Sequence, residues 1–136
     1  MQPRADKFVD QAQVLAAIGD DAVCTVNALS PDVYTGEGNM SYGRKGHITG
    51  SVNVYYDELL DAGRFRPAAE LEAALDGKGL LAADRVIAYC GGGISATIDA
   101  LACLLVGKEA VAVYDGSMSE WVRDESLPMT VGAEPG

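Results

Sequence analysis

The stretch Arg85-Val86-Ile87-Ala88-Tyr89-Cys90-Gly91-Gly92-Gly93-Ile94-Ser95-Ala96-Thr97 decides how this chain folds. Its first five residues form a short β-branched and aromatic run, the pattern of a buried strand. From Ala96 to Val106 the residues are almost wholly apolar, interrupted only by Thr97 and Asp99, which reads as a buried helix. A thiol and three consecutive glycines join the two. Cys90 is therefore predicted at the carboxyl end of a strand, the edge of an open α/β sheet where ligands bind.

The flanking sequence repeats the alternation. Phe8, Val9, Val14, Leu15 and Ile18 predict an opening amphipathic helix stopped by Gly19, followed by a strand at Ala22-Val23-Cys24-Thr25-Val26. Ser30-Pro31-Asp32 starts a short helix, and the glycine-rich segment 36–50 reads as a long surface loop. Residues 50–55 return to a strand, 57–62 fit one helical turn, and Pro67 opens a helix through Leu75 that ends at Gly77 and Gly79. After Gly107, Ala110 to Tyr114 is a further strand, Asp115-Gly116 a turn, and Ser117 with Glu120 three residues on has the form of a capping box. These elements predict a single α/β domain over residues 1–136, with a core at about 8–124 and an extended tail over 125–136. Its sheet should have four to five mostly parallel strands, with helices on both faces.

Composition narrows the function classes. The chain has 136 residues, 49% of them hydrophobic, enough for one sizeable core. Ten basic against twenty acidic residues give a net charge of −10, which opposes non-specific contact with nucleic acid or an anionic membrane. No apolar run approaches the ~20 residues that span a bilayer. The first residues, Met1 to Lys7, lack the apolar core of a secretion signal, so a cytoplasmic setting is expected. Cys24, Cys90 and Cys103 are widely spaced with no Cys-x-x-Cys pair, which argues against a disulfide framework or zinc site; no metal and no cofactor are expected. Cys24 and Cys103, in apolar runs, read as inert core residues.

The Cys90 loop carries the chemistry. Side-chain-free residues at 91, 92 and 93 let successive backbone N–H groups turn toward one point, forming an anion-binding nest. A helix beginning near Ile94 or Ser95 aims its positive end at the same point, favouring a thiolate or a terminal persulfide. The plain alternative is a small buried cysteine in a tight turn, although such a turn rarely needs all three glycines. A cysteine phosphatase would need an arginine six residues after Cys90, where Ala96 stands. A thioredoxin-like enzyme would need a nearby resolving cysteine, and Cys103 lies thirteen residues on. A cysteine hydrolase needs a histidine base; His47 is the only histidine, so that class depends on folding bringing the two together.

Three motifs in consistent order carry a resemblance. Gly46-His47-Ile48-Thr49-Gly50-Ser51-Val52-Asn53 is similar to a Gly-His-Ile-Pro-Gly-Ala-x-Asn segment, with Thr49 in place of proline. Cys90 to Ser95 is similar to a six-residue active-site loop. Tyr114-Asp115-Gly116-Ser117-Met118-Ser119-Glu120-Trp121 is similar to a Tyr-Asp-Gly-Ser-x-x-Glu-Trp signature. Over nearly its whole length the chain resembles a rhodanese domain, the single-sulfur transferase fold, and in its opening and its tail it resembles the second domain of tandem thiosulfate and 3-mercaptopyruvate sulfurtransferases. It departs from the family at Asn27-Ala28-Leu29, where Asp-Ala-Arg is common, and at Val33, near an arginine expected to hold the pyruvate carboxylate. Loss of an acid and a base together is what removal of an ion pair looks like, and it costs much less than stranding one charge.

The resemblance implies a three-layer rhodanese-like fold and a sulfurtransferase that passes a sulfane sulfur through a Cys90 persulfide. The donor is a small anion, thiosulfate foremost and 3-mercaptopyruvate second; the acceptor is a thiol or cyanide. Backbone amides of Gly91, Gly92, Gly93, Ile94, Ser95 and Ala96 form the substrate pocket. Ser95 either donates a hydroxyl hydrogen bond or caps the following helix. Arg44 and Lys45 either recruit the anionic donor or are solvated loop charges. His47, Asp115 and Ser117 are supporting groups, His47 through a local hydrogen bond, and Trp121 is packing. The competing class is a non-catalytic or carrier module that serves a second rhodanese domain or a protein sulfur acceptor.

Overall fold

The computed structural model describes residues 8–20, 22–37, 45–90, 94–114 and 116–132. Five strands form the central sheet: β1 (Phe8–Val9), β2 (Val23–Asn27), β4 (Val52–Asn53), β7 (Arg85–Tyr89) and β8 (Val111–Tyr114). Their order is β1-β8-β7-β2-β4, and every pairing is parallel. Helices α1 (Gln11–Ala17), α2 (Pro31–Thr35), α3 (Ala68–Asp76), α4 (Ile94–Leu105) and α5 (Ser117–Trp121) connect them. All of β8 and four of the five residues of β7 are buried. Successive strand residues point to opposite faces, so both faces at the centre of the sheet are covered. Helix α4 packs on β7 and β8, α3 packs on α4, and α1 meets β2.

Local chemistry moves several predicted boundaries. The opening helix does not include Phe8 and Val9. The Asp10 side chain accepts the Gln13 N–H at 2.9 Å and Gln13 Oε1 accepts the Asp10 N–H at 3.0 Å, a capping box that starts α1 at Gln11. Phe8 and Val9 are thereby left extended beside β8. The strand expected over 50–55 keeps its ladder only at Val52–Asn53, paired with Val26 and Asn27. The single helical turn expected over 57–62 becomes a 3-10 turn at Tyr56–Leu59 followed by a hairpin of β5 (Leu60–Asp61) and β6 (Arg64–Phe65). Ala62 and Gly63 at its tip both have positive φ, 53° and 80°, as a two-residue hairpin turn requires.

Part of the tail is built into the fold. Strand β9 (Met129–Thr130) pairs antiparallel with β3 (His47–Ile48), which straps the end of the chain over the His47 segment. Gly46 permits this approach: its φ is +103°, and a Cβ there would lie 2.3 Å from the Thr130 carbonyl oxygen. Thr49, which replaces the expected proline, adds a 3.0 Å hydroxyl contact to Thr130. Among the described residues no helix is long and apolar enough to cross a membrane.

Helix α4 carries one conflict. Asp99 is fully buried and neither carboxylate oxygen has a hydrogen-bond partner. Burial therefore holds its pKa well above the usual carboxylate range. In the unfolded chain the same group ionises at an ordinary pH. Its contribution to stability is thus fully present below the ordinary carboxylate pKa and is lost as pH rises through the raised folded value. Asp99→Asn should remove a slope of about 1.4 kcal/mol per pH unit over that window, measured by denaturant unfolding across pH.

Candidate active site

Strand β7 delivers Cys90 to the carboxyl edge of the sheet, where the residue is 2% exposed. Its peptide is held on both sides by the β8–α5 connection. The Cys90 N–H donates to Ser117 Oγ at 3.1 Å, and the Cys90 carbonyl accepts the Met118 N–H at 2.9 Å. Ser117 Oγ in turn donates to the Tyr114 carbonyl at 2.7 Å. Ser117 is completely buried and has a φ of +50°, a left-handed conformation that costs about 1 kcal/mol or more in a residue with a Cβ. The strained turn aims its hydroxyl at Cys90.

The capping role expected of Ser117 is therefore not the one it plays. Helix α5 starts at Ser117 itself with Gly116 as its N-cap, and there is no side-chain cap. The Glu120 carboxylate instead accepts the Tyr114 hydroxyl at 2.6 Å. Ser95 likewise stands one residue inside α4 rather than at its N-cap. Ala96 is fully buried. Helix α4 begins only four residues after Cys90, so its positive end faces the loop that the cysteine leads. Gly91, Gly92, Gly93, Arg44, Asp115 and the side chain of Ile94, all expected at the site, lie outside the described residues.

Beneath Cys90 sits a polar framework that sequence reasoning missed. The Tyr89 hydroxyl, fully buried, meets Asn27 Nδ2 at 3.0 Å, the Ile48 N–H at 2.9 Å and Ser51 Oγ at 2.7 Å. It ties together β2, β7 and the turn between β3 and β4. Asn27 Oδ1 accepts the Leu29 N–H at 2.8 Å, and Asn53 Nδ2 donates to the Asn27 and Leu29 carbonyls at 3.1 and 2.8 Å. A neutral amide, Asn27, thus stands in the place of the expected acid and Leu29 in the place of the expected base, with Leu29 and Val33 buried as apolar side chains. The available signal was positional: Tyr89 directly precedes Cys90, while Asn27 and Asn53 end neighbouring strands.

His47 is fully buried. Its ring stacks on Tyr34 with centroids 3.7 Å apart and planes 5° from parallel, and Nδ1 donates to the Tyr34 carbonyl at 2.8 Å. Those contacts fasten β3 to α2. Lys45 is exposed just ahead of β3. Trp121 is buried edge-on to Tyr114 and donates Nε1–H to the Pro128 carbonyl at 3.1 Å. None of Cys24, Cys90 and Cys103 forms a disulfide. Burial, reinforced by nearby Asp99, pushes the Cys103 thiol up to about 12; burial also raises Cys24, although Cys24 is only half-buried rather than a core residue.

A strand-end cysteine leading into a helix, on a five-stranded parallel sheet in this order, defines an α/β domain with a loop site at its carboxyl edge. The rhodanese-like domain family matches residues 10–124, and the chain belongs to that family. It is 32% identical over 136 residues to a Pseudomonas aeruginosa protein named "Probable 3-mercaptopyruvate sulfurtransferase", covering 96% of this chain and 47% of that one. It is 46% identical over 79 residues to the thiosulfate sulfurtransferase of Rattus norvegicus, covering 57% and 27%. The chain therefore spans at most about half the length of these relatives. Its fold matches an anaerobic ergothioneine biosynthesis enzyme from Chlorobium limicola, solved with trimethyl histidine, at a TM-score of 0.86 and 23% identity over 96% of this chain and 33% of that one.

Ser117→Ala should remove the acceptor that Ser117 Oγ offers the buried Cys90 N–H, at a cost of about 1–3 kcal/mol in unfolding free energy, measured by denaturant titration. A loss no larger than the few tenths typical of a surface change would contradict that role.

Proposed function

We propose that this domain is a sulfurtransferase in which Cys90 carries sulfur as a persulfide. The observation that carries the reading is the clamped Cys90 peptide at the sheet edge, four residues ahead of the positive end of α4. The Cys90 thiolate attacks the outer sulfur of thiosulfate. A new S–S bond forms to Cys90, and the S–S bond of thiosulfate breaks, its electron pair leaving on sulfite. A thiol or cyanide then attacks the terminal sulfur and takes it away, returning the Cys90 thiolate. The charge change at each step stays on sulfur, and the amides of residues 91–96 are the groups assigned to stabilising it.

Thiosulfate fits better than 3-mercaptopyruvate as the donor. Leu29 and Val33 are buried and apolar, so neither supplies a guanidinium for a carboxylate. Arg44 and Lys45 are the cations assigned to attracting the donor, with Asp115, Ser117 and His47 in support. A cytoplasmic setting suits a cysteine that must return to its reduced form after each cycle. A protein partner, either a sulfur acceptor or a second rhodanese-like domain, is the companion reading. It is favoured by exposed Phe8, Leu101 and Leu104 around a groove of about 360 Å³ and by the greater length of the relatives.

Thiocyanate formation from thiosulfate and cyanide should be present in wild type and fall by at least about 1000-fold in Cys90→Ser, the scale for loss of an obligate nucleophile. Activity that survives that substitution contradicts the mechanism. A kcat/KM higher for 3-mercaptopyruvate than for thiosulfate contradicts the donor assignment.

A further inference from the structure

The hydrogen bonds around Tyr89 leave no freedom in their direction. The Leu29 N–H can only donate, so the Asn27 atom it meets is the carbonyl oxygen, and the Asn27 amide must point at Tyr89. The Ile48 N–H also can only donate, and it too ends on Tyr89 Oη. The Ile48 carbonyl can only accept, so the Ser51 hydroxyl proton goes there, at 2.7 Å. Tyr89 has then accepted twice, and Ser51 has already given its proton away. The Tyr89 proton is committed to Ser51 Oγ.

We propose that Asn27 is a positioning residue for Cys90: its amide N–H, donated to Tyr89 Oη, fixes the direction of this chain of hydrogen bonds and locks the strand end that delivers the cysteine, using no charged group. Three geometric facts support the role. Asn27 pairs with Tyr89 in the β2–β7 register. The Tyr89 carbonyl accepts the Ala28 N–H at 2.9 Å, so both the peptide and the side chain of Tyr89 are anchored to residues 27–28. Asn27 itself is completely buried. A carboxylate in its place could not donate to Tyr89. It would draw the Tyr89 proton away from Ser51 and, with Leu29 rather than a base two residues on, would sit buried without a counter-charge.

The framework is thus neutral by construction. Among the described residues, the titratable side chain bearing on Tyr89 is Tyr34 of α2, behind which His47 of β3 is stacked. A phenol ordinarily ionises only near pH 10, and burial raises Tyr89 further, so its hydroxyl remains a donor across the working range. Support for the Cys90 strand end should therefore be indifferent to pH in the wild type and become pH-dependent once residue 27 can ionise.

The inference rests on the sulfur-transfer reading of Cys90, and its test separates the two. Wild type is compared with Asn27→Asp and with Asn27→Leu, which buries no charge, by thiosulfate-to-cyanide transfer and by Cys90 alkylation with iodoacetamide, each expressed as a variant-to-wild-type ratio at the same pH. For Asn27→Asp, whose buried acid can donate to Tyr89 only while protonated, transfer should be near wild type at about pH 5.5 and about 10-fold lower at about pH 8 with donor KM unchanged. The loosened strand end should make alkylation of the nearly inaccessible Cys90 faster by a similar factor at the higher pH only. Asn27→Leu should show a loss of about 3-fold at both pH values. Asn27→Asp ratios that are flat with pH, or Asn27→Leu indistinguishable from wild type in both measurements, overturn the role of Asn27. Alkylation ratios that follow the expected pattern in a wild type showing no transfer uphold it while contradicting the transferase reading.

Discussion

Everything at the candidate site depends on the Cys90 peptide being held from both sides. Its N–H and its carbonyl are engaged by consecutive residues of the next sheet connection, Ser117 Oγ and the Met118 N–H. A strand that ends at a loop of small residues would otherwise fray. Here the end is pinned in two directions, so the thiol starts from a fixed point. Ser117 achieves this from a left-handed backbone, and the local strain is offset by two buried hydrogen bonds at one hydroxyl.

A second anchor lies one residue earlier. The Tyr89 hydroxyl gathers β2, β7 and the β3–β4 turn into one network whose members are neutral and satisfied. Buried polar networks are stabilising only when complete, and this one is completed by the amide donors and acceptors of Asn27, which stands where an acid is expected, and of Asn53. The expected acid and base are gone together. Hydrogen bonds in fixed directions now do the orienting that an ion pair would otherwise do, without the desolvation cost of two buried charges.

Much of this was legible in the sequence because it rests on local pattern. The β7–loop–α4 unit is written in the apolar run Arg85–Tyr89, the glycines and the apolar helix, and the parallel alternation follows from strands separated by crossover-length segments. What escaped depended on contacts between distant segments. Phe8 and Val9 have a helix-compatible pattern, yet the Asp10–Gln13 capping box hands them to the sheet edge. Ser117 and Glu120 have the spacing of a capping box, but Cys90 and Tyr114, both outside the motif, claim their side chains. The Tyr89 hub was hidden for the same reason: its partners lie 38 to 62 residues away along the chain. Asp99 was visible as a charge in an apolar run, while its lack of any partner is a property of the packing.

The central claim is that Cys90 accepts and holds sulfur. Intact-mass measurement of the reduced protein after incubation with thiosulfate, with the mass gain mapped by peptide, tests it most directly. The account predicts a gain of about 32 Da, one sulfur atom, confined to the peptide containing Cys90 and removed on addition of cyanide. A protein that stays at its original mass, or takes up sulfur on Cys24 or Cys103 instead, would contradict it.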